Sequence, residues 1–405
     1  MHGEVVNGKL YIFGGYNINK LPKYTPTTRA SVYDPAANTW TWIANLPHTP
    51  NGSGFGGITH EGLTTDGTDI YLAGGYTSNL DGTGQIFGTK QVWRYNMASN
   101  TYTFLPDLPE ALAAGQLKYL NGKIHYIGGA NLSRADVAVH YALDLNNLAA
   151  GWKALAPLLN PRNHPGSAVY GGKIYFIGGS HYQDDAAIAQ KTLEVYDEST
   201  DTWTRLADMP VERDHISSAV VVMGDRILVL GGETSHNVKS KLVSAYSPAT
   251  NTWTELTPLP VTKAAGVAAV LNGNIHYTGG NFSKINYKGI PSVVLSSQAP
   301  PTTTSLVSAS GENTFNAGRN LKKPVIYPNP IQKQLNIRFP NTYKGHFSFT
   351  IADQAGKTYN LGEVKIQPGG SNINIDISRF LLLPGVYFLR VKSYIRSDEM
   401  KLIIQ

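Results

Sequence analysis

Two short segments of the chain carry an arginine and a histidine in the same order and spacing. They are Pro161-Arg162-Asn163-His164 and Glu212-Arg213-Asp214-His215. A guanidinium group donates two parallel hydrogen bonds to a carboxylate, and an imidazole changes its charge near neutral pH. The segments therefore predict a site for a carboxylate or sugar ligand. The alternative is that both arginines bind backbone carbonyls and neighbouring parts of the fold.

Further polar side chains follow two apolar strands of the chain. They are Arg134 and Asp136 after the first strand, and His181, Tyr182, Asp184 and Asp185 after the second. A solvated loop is the alternative for each of them. Together with the two segments, the predicted ligand-binding set is Arg134, Arg162, His164, His181, Tyr182, Arg213 and His215.

The sequence predicts neither a metal ion nor a cofactor. In the set His181, Asp184, His215 and His236, no pair has the spacing of a helix-borne ligand set. The chain contains no cysteine, which excludes disulfides, thiolate metal sites and a cysteine nucleophile. The chain also has no Gly-x-Ser-x-Gly nucleophile motif and no phosphate-binding loop.

The two segments belong to a repeat that determines the fold of most of the chain. An apolar strand that ends in Gly-Gly recurs six times, at a spacing of roughly 50 residues that is typical of propeller blades. Residues without a Cβ allow positive φ and close approach of the backbone, so we expect these glycines to be structural. They are Gly14, Gly15, Gly74, Gly75, Gly128, Gly129, Gly178, Gly179, Gly231, Gly232, Gly279 and Gly280.

Each repeat after the first is predicted to contain four short antiparallel strands. In the fourth copy these are SAVYG, KIYFIGG, TLEVYD and TWTRLADMP. The last strand of a copy begins with an aromatic residue, which we expect to pack between neighbouring blades. These aromatic residues are Trp40, Trp152, Trp203 and Trp253, with Tyr102 in the second copy.

The order Gly-Gly, Tyr-Asp-Pro-like turn, Asn-Thr-Trp and Leu-Pro resembles the kelch repeat over roughly residues 1–295. The resemblance implies an all-β fold, with a six-bladed kelch-type β-propeller over residues 1–297. Tight turns join the first two strands of each blade, so the longer loops lie on the opposite face, which is the predicted recognition surface. Kelch-like copper oxidases that resemble galactose oxidase need a cysteine, and their chemistry is therefore excluded.

Both ends of the propeller look incomplete in the sequence. The first strand of blade 1 is represented only by HGEVV, which is shorter than its counterparts, and the sixth copy has no Asn-Thr-Trp strand. Propellers usually close when one terminus completes the last blade. We therefore expect that the natural N-terminus, with a closing strand and an export signal, is missing from this sequence.

The remaining residues are predicted to form a linker and a second domain. Residues 298–323 are rich in Pro, Thr, Ser and Asn, and residues 324–405 contain about six or seven β-rich segments, which indicate a small Ig-like β-sandwich. Elements of this tail resemble, in order, the C-terminal sorting domain of the type IX secretion system of Bacteroidetes. The matching residues include Tyr327, Pro328, Asn329, Pro330, Asp376, Gly385, Tyr387 and Lys401.

The resemblance to the sorting domain implies export by the type IX secretion machinery, followed by release or by attachment to anionic surface polysaccharide. From residue 321 onward the chain has 12 Lys and Arg against 5 Asp and Glu, and this basic excess suits an anionic partner. A solvated basic surface is the alternative. We expect a secreted or outer-surface protein that has no transmembrane segment and no nucleic-acid partner.

The sequence favours a secreted or cell-surface kelch propeller that binds a protein or a carbohydrate. The first alternative is a sugar mutarotase or epimerase, because six-bladed kelch proteins that resemble sialic acid mutarotases use charged residues at the channel mouth. In this alternative the resemblance implies that Arg162, Arg213, Glu212 and His215 form the reacting set, with Glu212 or His215 as the acid or base. The second alternative is a structural or adhesive surface protein that has no small ligand.

Overall fold

The computed structural model describes residues 1–16, 24–47, 57–79, 83–182, 187–289, 324–327, 334–339, 345–353, 358–366, 371–377, 380, 382, 385–392 and 397–404. The chain divides into two compact units, Met1–Thr303 and Thr304–Gln405. Among the described residues the only regular helix is a 3₁₀ turn at Leu148–Ala150, so the predicted all-β fold is confirmed. No described helix has the length and apolar character needed to cross a membrane.

The first unit consists of six antiparallel sheets, which are the blades of a propeller. From the inner to the outer strand, blade 1 consists of His2–Val6, Lys9–Phe13, Ala30–Asp34 and Thr39–Ile43, and blade 2 of Gly62–Thr65, Asp69–Ala73, Val92–Asn96 and Thr101–Leu105. Blade 3 consists of Gln116–Leu120, Lys123–Ile127, His140–Asp144 and Trp152–Ala154, and blade 4 of Gly166–Tyr170, Lys173–Ile177, Leu193–Asp197 and Thr202–Arg205. Blade 5 consists of Val220–Met223, Arg226–Leu230, Val243–Ser247 and Thr252–Leu256, and blade 6 of Gly266–Leu271, Asn274–Gly279 and Asn286–Gly289. Short strand pairs in the loops are Ile58–Thr59 with Tyr76–Thr77, Leu112–Ala113 with Ala130–Asn131, Ser180–His181 with Ile188–Ala189, and Glu233–Ser235 with Val238–Lys239.

The six inner strands form a closed ring around a central channel. His2–Val6 contacts Gly62–Thr65 on one side and Gly266–Leu271 on the other, so blades 1 and 6 are neighbours. The prediction that the first inner strand is short is wrong, because His2–Val6 has five residues and pairs along its whole length with Lys9–Phe13. Blade 6 has three strands among the described residues, and the origin of a fourth strand stays a prediction.

Each of the first five Gly-Gly pairs contacts the next blade at one backbone carbonyl. The second glycine donates its N–H to this carbonyl across 2.8–2.9 Å, a hydrogen bond that we call the glycine clamp. The clamps are Gly15 to Ile58, Gly75 to Leu112, Gly129 to Arg162, Gly179 to Arg213 and Gly232 to Lys263. The first glycine faces the same oxygen: a Cβ at Gly178 would lie 2.3 Å from the Arg213 carbonyl oxygen.

Outer-strand aromatic residues pack against the preceding blade, as predicted. Their N–H or O–H groups donate to backbone carbonyls in the pairs Tyr102 to Ala44, Trp152 to Pro106, Trp203 to Ala156 and Trp253 to Ala207. The same prediction is wrong for Trp40, which is 42% exposed. Blade 6 precedes blade 1 in the ring, and among the described residues it has no outer strand to cover this indole.

The second unit contains two antiparallel sheets. One sheet has the strand order Val325–Tyr327, Gln334–Phe339 and Ser371–Asp376, and the other has the order Thr358–Ile366, Gly345–Asp353, Gly385–Lys392 and Ser397–Ile404. Buried side chains from both sheets, such as Ile337 and Leu389, form one hydrophobic core. This is the predicted two-sheet sandwich, while a closer relation to the Ig fold stays a prediction.

The predicted sorting residues lie at different places in this sandwich. Tyr327 ends the first strand, Asp376 ends the strand opposite Gln334, and the side chain of Tyr387 is buried in the core. Gly385 and Lys401 are exposed on the last two strands. Residues 328–330, with Pro328, Asn329 and Pro330, lie outside the described residues, as does the predicted linker.

The clamp geometry predicts different costs for two glycine substitutions. Gly171 in a hairpin turn and Gly178 in a Gly-Gly pair have φ of +58° and +59°, but only Gly178 has atoms within 4 Å of an added Cβ. Gly171→Ala should therefore cost about 1–2 kcal/mol of unfolding free energy from backbone strain, and Gly178→Ala a further 1–3 kcal/mol or so from overpacking. Denaturant unfolding followed by tryptophan fluorescence measures the propeller alone, because all 6 tryptophans lie in the first unit. Equal losses in the two variants would contradict the clamp.

Candidate ligand site at the channel mouth

The chain reaches the mouth of the channel two residues after each clamped carbonyl. The equivalent positions, which we call the mouth ring, are His60, Ala114, His164, His215 and Ala265, and all have left-handed backbone with φ of 51–58°. Backbone hydrogen bonds join several of these neighbours, since Ala114 donates to His60 at 2.8 Å and His164 donates to Ala114 at 2.9 Å. The clamps therefore determine where the mouth-ring side chains lie.

Three histidines of the mouth ring form one cluster of imidazoles. The rings of His164 and His215 are stacked with centroids 4.3 Å apart, and His60 meets His164 edge to face at 4.9 Å. His60 and His164 belong to blades 2 and 4, and the small side chain of Ala114 between them permits the contact. The sequence predicted a role for His164 and His215, and the structure brings both of them to the mouth.

The sequence motif does not identify His60, because no arginine lies two residues before it. In blade 2 the clamped residue is Ile58, so the Arg-x-His pattern is absent. The repeat itself contains the missing signal. Each of these histidines lies two residues before the glycine or serine near the start of an inner strand, in THEG, NHPG and DHIS.

Arg162 and Arg213 lie within the blades and do not face the channel. Arg162 is fully buried and donates to the carbonyls of Asn160, Phe176 and Gly178 and, at 2.7 Å, to the carboxylate of Glu194. Arg213 is equally buried, and it donates to the carbonyls of Gly231 and Leu242 and to the Ser244 hydroxyl. Lys263 repeats this contact in blade 6, where its ammonium group donates to Gly279.

These contacts match the alternative given for the Arg-x-His segments, in which both arginines bind backbone carbonyls and neighbouring parts of the fold. At three clamped positions a cation binds the carbonyl of the first glycine in its own blade. We therefore assign Arg162 and Arg213 to the framework that holds the mouth ring, and we do not assign them to ligand contact. Glu212 is exposed.

The surroundings of two mouth histidines, the partly buried His60 and the buried His164, favour the neutral imidazole. Burial lowers the pKa of His60 and of His164 well below the usual value, and the nearby histidines lower it further. A neutral imidazole presents one N–H donor and one acceptor nitrogen, which suits hydroxyl groups. Next to His60, burial raises the pKa of Glu61 to about 7.

The remaining predicted residues lie in the loops around the mouth. The guanidinium of the exposed Arg134 is 3.5 Å from the centroid of the Phe87 ring. The imidazole of His181 contacts Asn160 at 2.6 Å, and Tyr182, which is 61% exposed, donates its backbone N–H to Asp136. Asp184 and Asp185 lie outside the described residues.

Aromatic rings extend from the imidazole cluster across the loop face. His60 packs on Tyr76 with centroids 4.3 Å apart and on Tyr16 at 5.8 Å. Further ring contacts connect Tyr76 to Phe87, Tyr16 to Tyr24, and Tyr24 to Phe282. Two of these residues are well exposed, Tyr24 at 51% and Phe282 at 59%. The mouth is therefore bordered by aromatic faces that solvent can reach.

Below the mouth, the inner strands line a cavity of about 360 Å³. Its walls include Glu4, Thr64, Gln116, Lys118 and Ser167, which are polar and come from four blades. Burial raises the pKa of Glu4, and the positive charge of Lys118 opposes this shift. The volume is near the lower end of the roughly 300–1,000 Å³ range of small-molecule sites.

Three potential metal ligands also meet at the mouth. Asp214, His215 and Glu233 have ligand atoms that all lie within 4.8 Å of one another. Of the four residues considered from the sequence, only His215 belongs to this group.

A closed ring of six antiparallel blades defines the first unit as a β-propeller. The KLHDC2/KLHL20/DRC7 Kelch-repeats domain matches residues 63–280, the Kelch motif matches residues 3–47, and the Secretion system C-terminal sorting domain matches residues 325–405. The chain belongs to the kelch-repeat family and ends in a type IX sorting domain.

Similar proteins share the propeller but not the whole chain. Kelch-like protein terF of Aspergillus terreus is 31% identical over 234 residues, 56% of this chain and 48% of that protein. Beta-scruin of Limulus polyphemus is 34% identical over 213 residues, 52% of this chain and 22% of that protein. The chain thus spans about half the length of these curated relatives, or less. A solved structure titled "Structure of YjhT" aligns with a TM-score of 0.56 at 17% identity, covering 71% of this chain and 93% of that one, which supports the fold.

The framework role of Arg162 predicts a loss of stability on substitution. Arg162→Leu leaves the buried Glu194 carboxylate without its guanidinium partner, and breaking a buried pair costs about 3–5 kcal/mol. Lys173→Leu is the matched control, because its ion pair with Asp197 belongs to the same blade but lies on the surface, where such pairs contribute about 1 kcal/mol or less. Urea unfolding measures both. An Arg162→Leu variant as stable as Lys173→Leu would exclude the framework role.

Proposed function

We propose that this protein is an exported kelch propeller that binds a carbohydrate at the mouth of its channel. The observation that carries the proposal is the imidazole cluster of His60, His164 and His215 with the adjoining tyrosines, above a polar cavity of about 360 Å³. Sugars present hydroxyl groups and apolar C–H faces side by side. A mixed surface of neutral imidazoles and aromatic faces is complementary to both.

The buried polar groups beside the channel favour a small polar ligand over a protein partner that binds a flat surface. A surface that binds proteins commonly buries apolar and aromatic side chains over a broad area. Here polar groups converge on the channel, since Gln116 accepts from Ser167 at 2.7 Å and donates to the Pro165 carbonyl. Concave sites with a few fixed polar groups are typical of small-molecule binding.

Export is the second part of the proposal. The C-terminal sorting domain supports transport out of the cell by the type IX machinery, with the protein then secreted or held at the cell surface. Contact between this basic domain and an anionic surface polysaccharide is proposed from its charge, because residues 321–405 hold 12 Lys and Arg against 5 Asp and Glu. A carbohydrate-binding propeller on the outside of the cell would meet its ligands there.

A sugar mutarotase or epimerase is the second candidate. It is favoured by His215, whose Nδ1 lies 3.1 Å from Asp214 and 3.9 Å from Glu233, an arrangement that orients an imidazole for proton transfer. Burial also raises the pKa of Glu61 to about 7, so this carboxyl group exchanges protons near neutral pH. Of the set considered from the sequence, only His215 remains in this candidate site.

A glycan array and calorimetry on the full chain test the carbohydrate proposal. We expect one class of glycan to bind, and we expect Tyr182→Ala and His164→Ala each to weaken binding by about tenfold or more, which corresponds to about 1.4 kcal/mol. Trp42→Ala is the matched control, because Trp42 is also an exposed aromatic residue, 68% against 61% for Tyr182, but lies on an outer strand. A blank array with no sugar anomerisation would leave the adhesive role; equal losses in Trp42→Ala would contradict the site.

A reporter fusion tests export. Residues 321–405 placed behind an export signal and a reporter in a host with type IX secretion should bring the reporter to the surface or the medium. Removing Ser397–Ile404 should abolish this, because that strand covers the edge of Gly385–Lys392 and contributes Leu402 to the core. A full-length fusion that stays in the periplasm would contradict the sorting role.

A further inference from the structure

The structure assigns a divalent transition-metal site to Asp214, His215 and Glu233 in blade 5, with the ligand chemistry of Zn²⁺ or Mn²⁺. The three side chains offer one imidazole nitrogen and two carboxylate oxygens. A cation bound here does not require a carbohydrate at the mouth.

The backbone holds the two acidic residues side by side. Asp214 and Glu233 form an isolated β-bridge in which each donates its N–H to the carbonyl of the other at 2.9 Å. Asp214 directly follows the clamped Arg213, so the clamp also fixes this bridge. His215 comes next, and its left-handed backbone, with φ of 52°, turns the imidazole towards both carboxylates.

The buried carboxylate of Asp214 needs a positive charge. Asp214 is fully buried, and neither of its oxygens accepts a hydrogen bond from any described residue. Nδ1 of His215 lies 3.1 Å from Oδ1 of Asp214, while Glu233 Oε2 accepts the Asn237 N–H at 2.9 Å. The guanidinium of Arg213 is directed to Gly231, Leu242 and Ser244 instead. Two buried carboxylates beside one imidazole are stable with a bound cation or with a protonated histidine.

Blade 4 shows the same backbone with a neutral bridging pair, whose Asn163 donates to the carboxylate of Asp136. Asn163 and Ser180 form the equivalent bridge, and His164 has the position of His215 with nearly the same φ, 51°. There the polar groups satisfy one another, since Ser180 Oγ donates to Asn163 Oδ1 at 2.9 Å and Nδ1 of His164 contacts the same oxygen at 2.5 Å.

The paired acids are specific to blade 5 among the blades whose bridge is described. The equivalent pairs in the other blades carry no charge: Thr59 with Tyr76, Ala113 with Ala130, Asn163 with Ser180, and Ala264 with Asn281. The repeat therefore folds without carboxylates at this bridge, and the two carboxylates of blade 5 indicate another role for Asp214 and Glu233.

The ligand set selects the class of ion. Imidazole nitrogen with carboxylate oxygen suits Zn²⁺, Mn²⁺ and related first-row ions, whereas Ca²⁺ and Mg²⁺ prefer oxygen ligands alone. Bonds of about 2.0–2.2 Å place two ligand atoms of one ion about 3–4 Å apart. In this structure Nδ1 of His215 lies 3.1 Å from Asp214 Oδ1 and 3.9 Å from Glu233 Oε2. The side chain of His215 is 24% exposed, so open coordination positions would face the channel mouth.

Zn²⁺ titration of the full chain after EDTA treatment tests the site. Calorimetry should show one equivalent of Zn²⁺ bound with a Kd in the micromolar range or below, and Co²⁺ should give visible absorption bands that Zn²⁺ removes. Asp214→Asn with Glu233→Ser copies the blade 4 pair, so this double variant should fold and yet bind Zn²⁺ at least about 100-fold more weakly. His215→Gln should weaken binding and alter the Co²⁺ spectrum.

His236→Gln is the matched control, because His236 lies in the adjacent loop and outside the ligand set, and it should bind Zn²⁺ as the parent chain does. Zn²⁺ should also raise the melting temperature of the parent chain, and EDTA should reverse this rise. If Zn²⁺ does not bind stoichiometrically and does not change the melting temperature, the charge beside the two carboxylates is that of a protonated His215. This result would overturn the proposal. Binding that survives in the double variant would overturn it as well.

Discussion

The propeller depends on one hydrogen bond that recurs from blade to blade, the glycine clamp. A glycine N–H reaches a backbone carbonyl of the following blade, and the preceding glycine leaves the space that this carbonyl occupies. A buried carbonyl must be paired, and a side chain at the first glycine would push the blades apart. Because blades bury their faces only against their neighbours, a bond that fixes blade to blade also fixes the ring.

The clamp also explains how one short segment serves two purposes. The clamped residue turns its side chain into its own blade. There Arg162, Arg213 or Lys263 donates a hydrogen bond to the carbonyl of the first glycine of the Gly-Gly pair. Two residues later the chain enters the left-handed region at the mouth ring. Framework residues and mouth-ring residues thus alternate along the same loop. Variation at the mouth ring and at the bridge beside it, from Ala to His and from Asn to Asp, changes the site while the framework stays the same.

Much of the fold could be predicted because it depends on local patterns. The glycine pairs, the four-strand copies and the outer-strand tryptophans are visible in the sequence, and the structure confirms them apart from Trp40 and the length of the first strand. The site was harder to predict, because its contacts cross between blades. Nothing near Glu233 in the sequence indicates that it faces Asp214, and His60 meets His164 only because Ala114 is small. The sequence left both interpretations of the arginines open, because a guanidinium that binds a ligand and one that binds a strand end look alike in the sequence.

Amide hydrogen exchange of the second glycines tests most directly whether the clamps hold the mouth in place. The amides of Gly75, Gly129, Gly179 and Gly232 should exchange only when the propeller unfolds as a whole, at the same rate as amides of the inner strands. Exchange at the rate of exposed loop amides, while the inner strands stay protected, would contradict this account. In that case the mouth ring and the bridge between Asp214 and Glu233 would not be fixed by the fold.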